Sequence, residues 1–109
     1  MTIEHRLAVY GTLAPGRSNH HVLDGLIGEW REGTVRGRLI ADGWAATEGY
    51  PALFLNPQAD TVEVQLFCSA DLPDHWQRLD DFEGPGYRRT TVAVAIGAES
   101  IEAWIYAAA

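Results

Sequence analysis

The residues of this chain best suited to chemistry lie in Asp80-Asp81-Phe82-Glu83-Gly84-Pro85-Gly86-Tyr87-Arg88-Arg89. The stretch reads as the end of a helix, a stop at Gly84-Pro85-Gly86, and the start of a strand. A helix C-terminus carries partial negative charge from its unpaired carbonyls and favours Lys, Arg or His. This one carries three carboxylates instead. Local rules broken in this way point to function, so Glu83 is read as a catalytic acid/base held at the corner. Asp80, three residues earlier, is spaced to share a helix face with Glu83. Its like charge, or burial, would raise the Glu83 pKa into the range that proton transfer needs.

A second feature complements the first. Gly11-Thr12-Leu13-Ala14-Pro15-Gly16 follows a short apolar run and has glycine at both ends. Such a loop can turn successive backbone N–H groups into one concavity, a geometry suited to a carboxylate or a developing oxyanion. Two plainer readings stay open at this point: the loop as a tight turn, and Glu83 as a solvated helix-end acid.

Other chemistries lack their residues. No Gly-Lys-Ser/Thr follows the glycine loop, so it is not a phosphate-binding loop. His20 and His21 are adjacent and diverge on a helix, while His5 and His75 are isolated, so no metal site is expected. Serine has no Gly-x-Ser-x-Gly elbow. Cys68, the one cysteine, falls on an apolar strand face and reads as a small core residue.

The elements that must position these groups follow from periodicity. Arg6 to Tyr10 reads as a strand buried on both faces and central in its sheet. Ser18 or Asn19 can cap a short helix through about Leu26, closed by Gly28. Thr34 to Ile40 is a strand with Gly37 inside it, which marks a bulge or a close backbone approach. The segment from Asp42 to Asn56 is irregular, with Ala52 to Leu55 as a short strand. In Thr61 to Cys68, Val62, Val64, Leu66 and Cys68 share one face and Glu63 and Gln65 the other, a half-buried strand. Leu72, Trp76, Leu79 and Phe82 recur at helical spacing, with Ser69 or Asp71 to cap and Pro73 in the first turn. Tyr87 to Ile96 and Glu99 to Ala107 are β-prone runs joined at Gly97-Ala98, a hairpin. About six strands with two short helices make an α+β fold, a compact mixed sheet or small barrel rather than an alternating βαβ fold.

At 109 residues the chain is read as one domain, 1–109. Its hydrophobic fraction of 47% and charged fraction of 21% are those of a soluble globular protein. Net charge is −7, and all eight Lys or Arg positions are arginine, spread along the chain. Nucleic acid and anionic membranes are therefore disfavoured partners, and no apolar run approaches a membrane span. The first residues do not resemble a secretory leader, and a lone cysteine suits a reducing cytoplasm. Trp30, Trp44, Trp76 and Trp104 are read as packing residues.

Taken in order, several blocks resemble the γ-glutamylcyclotransferase-like (AIG2-like) family. Val9-Tyr10-Gly11-Thr12-Leu13, followed by Pro15-Gly16 and Ser18-Asn19-His20-His21, resembles its N-terminal signature. Val35-Arg36-Gly37-Arg38-Leu39 and Gly49-Tyr50-Pro51-Ala52-Leu53 resemble its second and third blocks. Leu79-Asp80-Asp81-Phe82-Glu83-Gly84 with Tyr87-Arg88-Arg89 resembles the block that holds the family's catalytic glutamate, and Ala103-Trp104-Ile105-Tyr106 its closing strand. The resemblance spans nearly the whole chain.

That resemblance implies a small mixed β-barrel with flanking helices and Glu83 reaching into a cavity at one end. It also implies a reaction without metal or cofactor: cyclisation of a γ-glutamyl amine or peptide to 5-oxoproline, with release of the amine. Glu83 would be the general acid/base. The backbone N–H groups of Gly11, Thr12 and Leu13 would bind substrate, and Tyr10, Tyr87 and Tyr106 would line the cavity. Arg89 fits the family's tyrosine-x-arginine spacing and is read as a structural partner of Asp80 or Asp81. Two departures are local: Thr12 stands where serine is common, and Gly84-Pro85-Gly86 stiffens the corner. The alternative is a non-catalytic small-ligand binding or regulatory protein that keeps the same cavity.

Overall fold

A strand that is apolar at every position after its first needs cover on both faces, and the sheet supplies it at the centre. The computed structural model describes residues 2–11, 16, 20–40 and 51–108. β1 (Arg6–Val9) lies between β4 (Thr61–Cys68), antiparallel, and β6 (Glu99–Ala108), parallel. β2 (Glu29–Ile40) runs antiparallel to β4 from Glu29↔Cys68 to Arg36↔Thr61. β5 (Tyr87–Ile96) and β6 form a hairpin about Gly97-Ala98, where Gly97 takes a φ of +59. The order β3-β2-β4-β1-β6-β5 closes on itself through a β2–β5 pairing, Thr34↔Ala95. The result is a closed five-stranded barrel with β3 (Ala52–Leu55) added beside β2. This is the expected small mixed β-barrel.

β2 can serve three partners because glycine lets them approach. A Cβ on Gly33 would lie 2.7 Å from Val94 Cγ1 and 2.9 Å from the Ala95 carbonyl, so β5 closes over this position. A Cβ on Gly37 would lie 2.8 Å from the Phe54 carbonyl, where β2 exchanges β4 for β3. The glycine inside the strand therefore marks a close backbone approach.

Two apolar cores lie on opposite faces of the barrel wall. Ala8, Val35, Leu53, Val64, Leu66, Val94, Ala103 and Ile105 fill one. Leu7, Val9, Leu23, Phe67, Leu72, Trp76, Leu79 and Tyr106 form the other, where the helical segments pack on the wall. Alternation along β1 sends Leu7 and Val9 to the second core and Ala8 to the first, as strand geometry requires.

Several local expectations are corrected. β4 is buried on both faces near its end: Phe67 joins the helical core and stacks on Trp30 at 4.7 Å between ring centroids. β2 begins at Glu29, five residues before the expected Thr34, because β4 pairs with it from that point. The first expected helix is one 3-10 turn, His20–Leu23, followed by Gly25 at φ +87 rather than a helix running to Gly28. Its proposed caps, Ser18 and Asn19, lie outside the described residues, as does Trp44.

Ser69 and Asp71 do not cap a helix either. Ser69 Oγ donates to the Ile27 carbonyl at 2.6 Å and Asp71 Oδ2 accepts from Ile27 N at 2.8 Å, so both fasten the segment before β2. α1 (Trp76–Glu83) follows the 3-10 turn Leu72–Asp74, which holds Pro73, and has no side-chain N-cap bond. Among the described residues no helix is long and apolar enough to cross a membrane.

Candidate active site

Helix α1 is amphipathic, and its buried stripe ends on an acid. Trp76, Leu79 and Glu83 fall at i, i+3 and i+7, one face of the helix. Trp76 and Leu79 are buried against the barrel wall and Glu83 is half-buried beside them. Phe82, expected to complete the stripe, is 43% exposed instead. The core thus receives a carboxylate where an aromatic ring would have served stability better. Burial pushes the Glu83 carboxyl up to about 7. Desolvation alone accounts for the shift, so the expected contribution from Asp80 is not the cause. Gly84, at φ +76, ends the helix and donates its N–H to the Asp80 carbonyl at 3.1 Å.

The Tyr10 side chain crosses from the end of β1 to two other strands. Its hydroxyl donates to the Tyr106 carbonyl at 2.6 Å and accepts from Leu53 N at 3.2 Å. Tyr87 donates its hydroxyl to the Pro51 carbonyl at 2.6 Å. Positions 51 and 53 face the same edge of the β3 segment, so two phenols satisfy an edge that no strand pairs among the described residues. A Cβ on Gly11 would meet the Pro51 ring at 3.4 Å, which brings the start of the glycine loop to the same place.

The Glu83 charge bears on these phenols. Burial, then the charges of Tyr87 and Glu83, raise the Tyr10 pKa, opposed by the Leu53 N–H. Burial also raises Tyr106, assisted by its hydrogen bond to Asp80 and by the Asp80 and Glu83 charges. Both phenols stay neutral at ordinary pH, which leaves Glu83 as the member of the cluster poised to exchange a proton.

Asp80 is committed elsewhere. Its Oδ1 accepts from Tyr106 Oη at 2.7 Å and from Arg89 Nε at 2.9 Å, and its Oδ2 from an Arg89 terminal nitrogen at 3.3 Å. Burial pushes Asp80 up, but those bonds and the Arg89 charge outweigh it and hold the carboxyl below the usual range. Arg89 Cζ lies 4.6 Å from the Trp76 ring centroid and 4.7 Å from that of Trp104, between the two indoles. Arg88 is exposed, and so is Asp81, which accepts from Gln77. The corner's three carboxylates thus divide into a half-buried acid, a paired acid and a solvated one.

The structure therefore brings Glu83, Tyr10, Gly11, Tyr87 and Tyr106 to one end of the barrel. Thr12 and Leu13, the other expected substrate-binding positions, lie outside the described residues. Pro51, Leu53 and Trp104 were not singled out by chemistry in the sequence. The signal for Trp104 was available, since a hairpin centred on Gly97-Ala98 sets Arg89 opposite Tyr106 and so puts Trp104 close by. An open groove of about 370 Å³ on the barrel, lined by residues such as Glu32, Thr34, Glu63 and Gln65, shares none of this cluster.

A half-buried carboxyl beside the neutral Tyr10 and Tyr106 phenols, with Gly11 near the same end, suits proton transfer to and from a small polar substrate. The family model described as gamma-glutamyl cyclotransferase, AIG2-like, matches residues 7–109. No curated protein matches the chain. Among solved structures, YkqA of Bacillus subtilis is 28% identical at a TM-score of 0.73, over 95% of this chain and 35% of YkqA. The chain thus spans about a third of YkqA. An AIG2-like protein of Mus musculus is 24% identical at a TM-score of 0.74, over 96% of this chain and 77% of the mouse protein. The allophanate hydrolase of Kluyveromyces lactis shares the fold at 14% identity and a TM-score of 0.70, over 93% of this chain and 17% of that enzyme.

Proposed function

Because the chain belongs to the AIG2-like γ-glutamyl cyclotransferase family, we propose that it cyclises a γ-glutamyl amine or peptide to 5-oxoproline, with Glu83 as general acid/base. The observation that carries the reading is the carboxyl of Glu83 in the apolar stripe of α1, raised to about 7 and within electrostatic reach of Tyr10.

The chemistry asks little of the protein beyond placement and one proton carrier. The substrate's own α-amine is the nucleophile, so binding must fold the γ-glutamyl chain until that amine faces the γ-carbonyl. The Glu83 carboxylate takes a proton from the α-ammonium. The freed nitrogen attacks the γ-carbonyl carbon, closing the five-membered ring, and the carbonyl oxygen gains charge. The ring nitrogen gives up its second proton, the carbon–nitrogen bond to the departing amine breaks, and Glu83 returns a proton to that amine. That second proton also ends on the departing amine, through Glu83 again or through water, so the lactam keeps one N–H and the overall reaction releases no proton.

Backbone N–H groups of Gly11, Thr12 and Leu13 would hold the α-carboxylate or the developing oxyanion. The hydroxyls of Tyr10, Tyr87 and Tyr106 already bond Tyr106, Pro51 and Asp80. These residues would therefore offer ring faces and a fixed wall rather than mobile donors. No step calls for a metal or an organic cofactor, and the partner is a small molecule rather than nucleic acid or membrane. The half-buried free thiol of Cys68 suits a cytoplasmic setting.

The test is Glu83→Gln, assayed for 5-oxoproline release from γ-glutamyl amines and peptides. Wild-type turnover with a loss of about 100-fold or more in the variant is expected. Equal turnover in the variant would remove Glu83 from the role. Thermal stabilisation by 5-oxoproline with no product from any γ-glutamyl compound would favour a binding protein instead.

A further inference from the structure

Two acids three residues apart on one helical turn repel, and each makes the other harder to ionise. Asp80 and Glu83 stand in that relation at a helix C-terminus, whose carbonyls add negative potential. An ionised Asp80 left alone would hinder ionisation of Glu83, whereas a free guanidinium would favour the Glu83 carboxylate and lower its midpoint. Neither situation arises, because the two opposite charges are locked to one another.

The lock is built from three elements. Arg89 reaches from β5 and forks onto both Asp80 oxygens, at 2.9 and 3.3 Å. Trp76 of α1 and Trp104 of β6 enclose its guanidinium, which fixes the plane of the fork. Tyr106 of β6 adds a third bond to Asp80. The groups around Glu83 are then Tyr10 at the end of β1, with Tyr87 of β5 beside it, and Tyr106 of β6, while Asp80, paired with Arg89, lies three residues back on α1 and accepts from Tyr106. Burial keeps the Tyr10 and Tyr106 phenols neutral at working pH, and Asp81 is exposed on the same turn.

We propose that Arg89 is a positioning residue that cancels the Asp80 charge and pins the last turn of α1, so that of the two acids spaced to share a helix face, Asp80 and Glu83, only Glu83 is left free to exchange a proton. The proposal rests on the reading of Glu83 as the acid/base. It assigns a role to the indoles as well: they keep the guanidinium on Asp80 and away from Glu83. Glu83 is then governed by its own burial, which accords with the direction of its shift and with desolvation as the cause.

The experiment is an NMR titration of the Glu83 carboxyl carbon in the ligand-free protein, in wild type, Arg89→Gln, Asp80→Asn and the double variant. Arg89→Gln leaves Asp80 uncompensated and should raise the Glu83 midpoint above its wild-type value by about half a unit to one unit. Asp80→Asn leaves Arg89 uncompensated and should lower it by a similar amount, about half a unit to one unit. The double variant should return close to wild type. A purely structural role predicts otherwise: both single changes would loosen the turn, admit water and lower the midpoint, and the double change would lower it further. That pattern, or a double variant that fails to return, overturns the proposal. If Arg89→Gln does not fold, Asp80→Asn and the double variant still make the comparison. Cyclisation assays run alongside separate the two failures, since an inactive wild type counts against the functional reading while the titration still decides the role of Arg89.

Discussion

Tyr10 donates its hydroxyl proton to the backbone carbonyl of Tyr106 at 2.6 Å, and the same oxygen accepts from Leu53 N at 3.2 Å. One phenol thereby joins β6 to β3, two strands that are not neighbours in the sheet. Tyr10→Phe removes the bridge and leaves a part-buried donor and acceptor unpaired. A loss of about 1–3 kcal/mol in chemical denaturation is expected. Under the proposed function, 5-oxoproline release should fall along with it.

The pH dependence of catalysis follows from Glu83. With its carboxyl raised to about 7, the base form is lost as pH falls below neutrality. A plot of log kcat/KM against pH should show an acid limb that breaks near that value, with roughly a tenfold loss per unit below it. A flat profile from pH 5 to 8 would contradict the role of Glu83.

Stability should carry the opposite sign. A carboxyl whose folded pKa is raised from 4.5 to about 7 binds its proton more tightly in the native state. Its contribution is therefore full below 4.5 and is lost as pH rises through about 7. Glu83→Gln should be more stable than wild type at pH 8.5 by about 1–2 kcal/mol after discounting for partial exposure, with the advantage fading toward pH 5. Thermal melts of both proteins at the two pH values measure it.

Closure of the barrel depends on Gly33. Its Cβ in Gly33→Ala would press on Val94 Cγ1 at 2.7 Å and on the Ala95 carbonyl at 2.9 Å, both in the facing strand. A cost of about 1–3 kcal/mol is expected from overpacking. Gly97→Ala is the useful contrast, since open space surrounds Gly97 and its φ of +59 sets the penalty; about 1 kcal/mol is expected there. Denaturant midpoints of the two variants compare crowding with backbone strain.

The legible parts of this protein are those settled by neighbours in sequence. Gly97-Ala98 between two β-prone runs specifies the hairpin, and symmetry about that turn sets Arg89 against Tyr106. The acidic corner is legible too, because a helix end rich in carboxylates contradicts the dipole rule. What the sequence conceals is decided by distant packing. The spacing of Trp76 and Leu79 continues as well to Phe82 as to Glu83, and the barrel wall selects the acid. Ser69 and Asp71 look like helix caps, yet Ile27, far away in sequence, takes their hydrogen bonds. Closure was hidden for a similar reason: β2 reads as one strand, and nothing local says that its middle meets β5 at Thr34↔Ala95.

That closing pair has a consequence for motion. Along the hairpin it lies near the Gly97 turn, while Tyr87, at the opposite end of β5, marks the end that holds Glu83. Parting Thr34 from Ala95 would unroll the barrel into an open twisted sheet and bare Val35 and Val94, with the other strand pairings intact. Such an opening costs less than global unfolding. The molecule can therefore breathe at one end while the Tyr10 and Tyr87 hydroxyls keep the other shut, and amide exchange should be faster around Thr34 and Ala95 than around Leu53 and Tyr106.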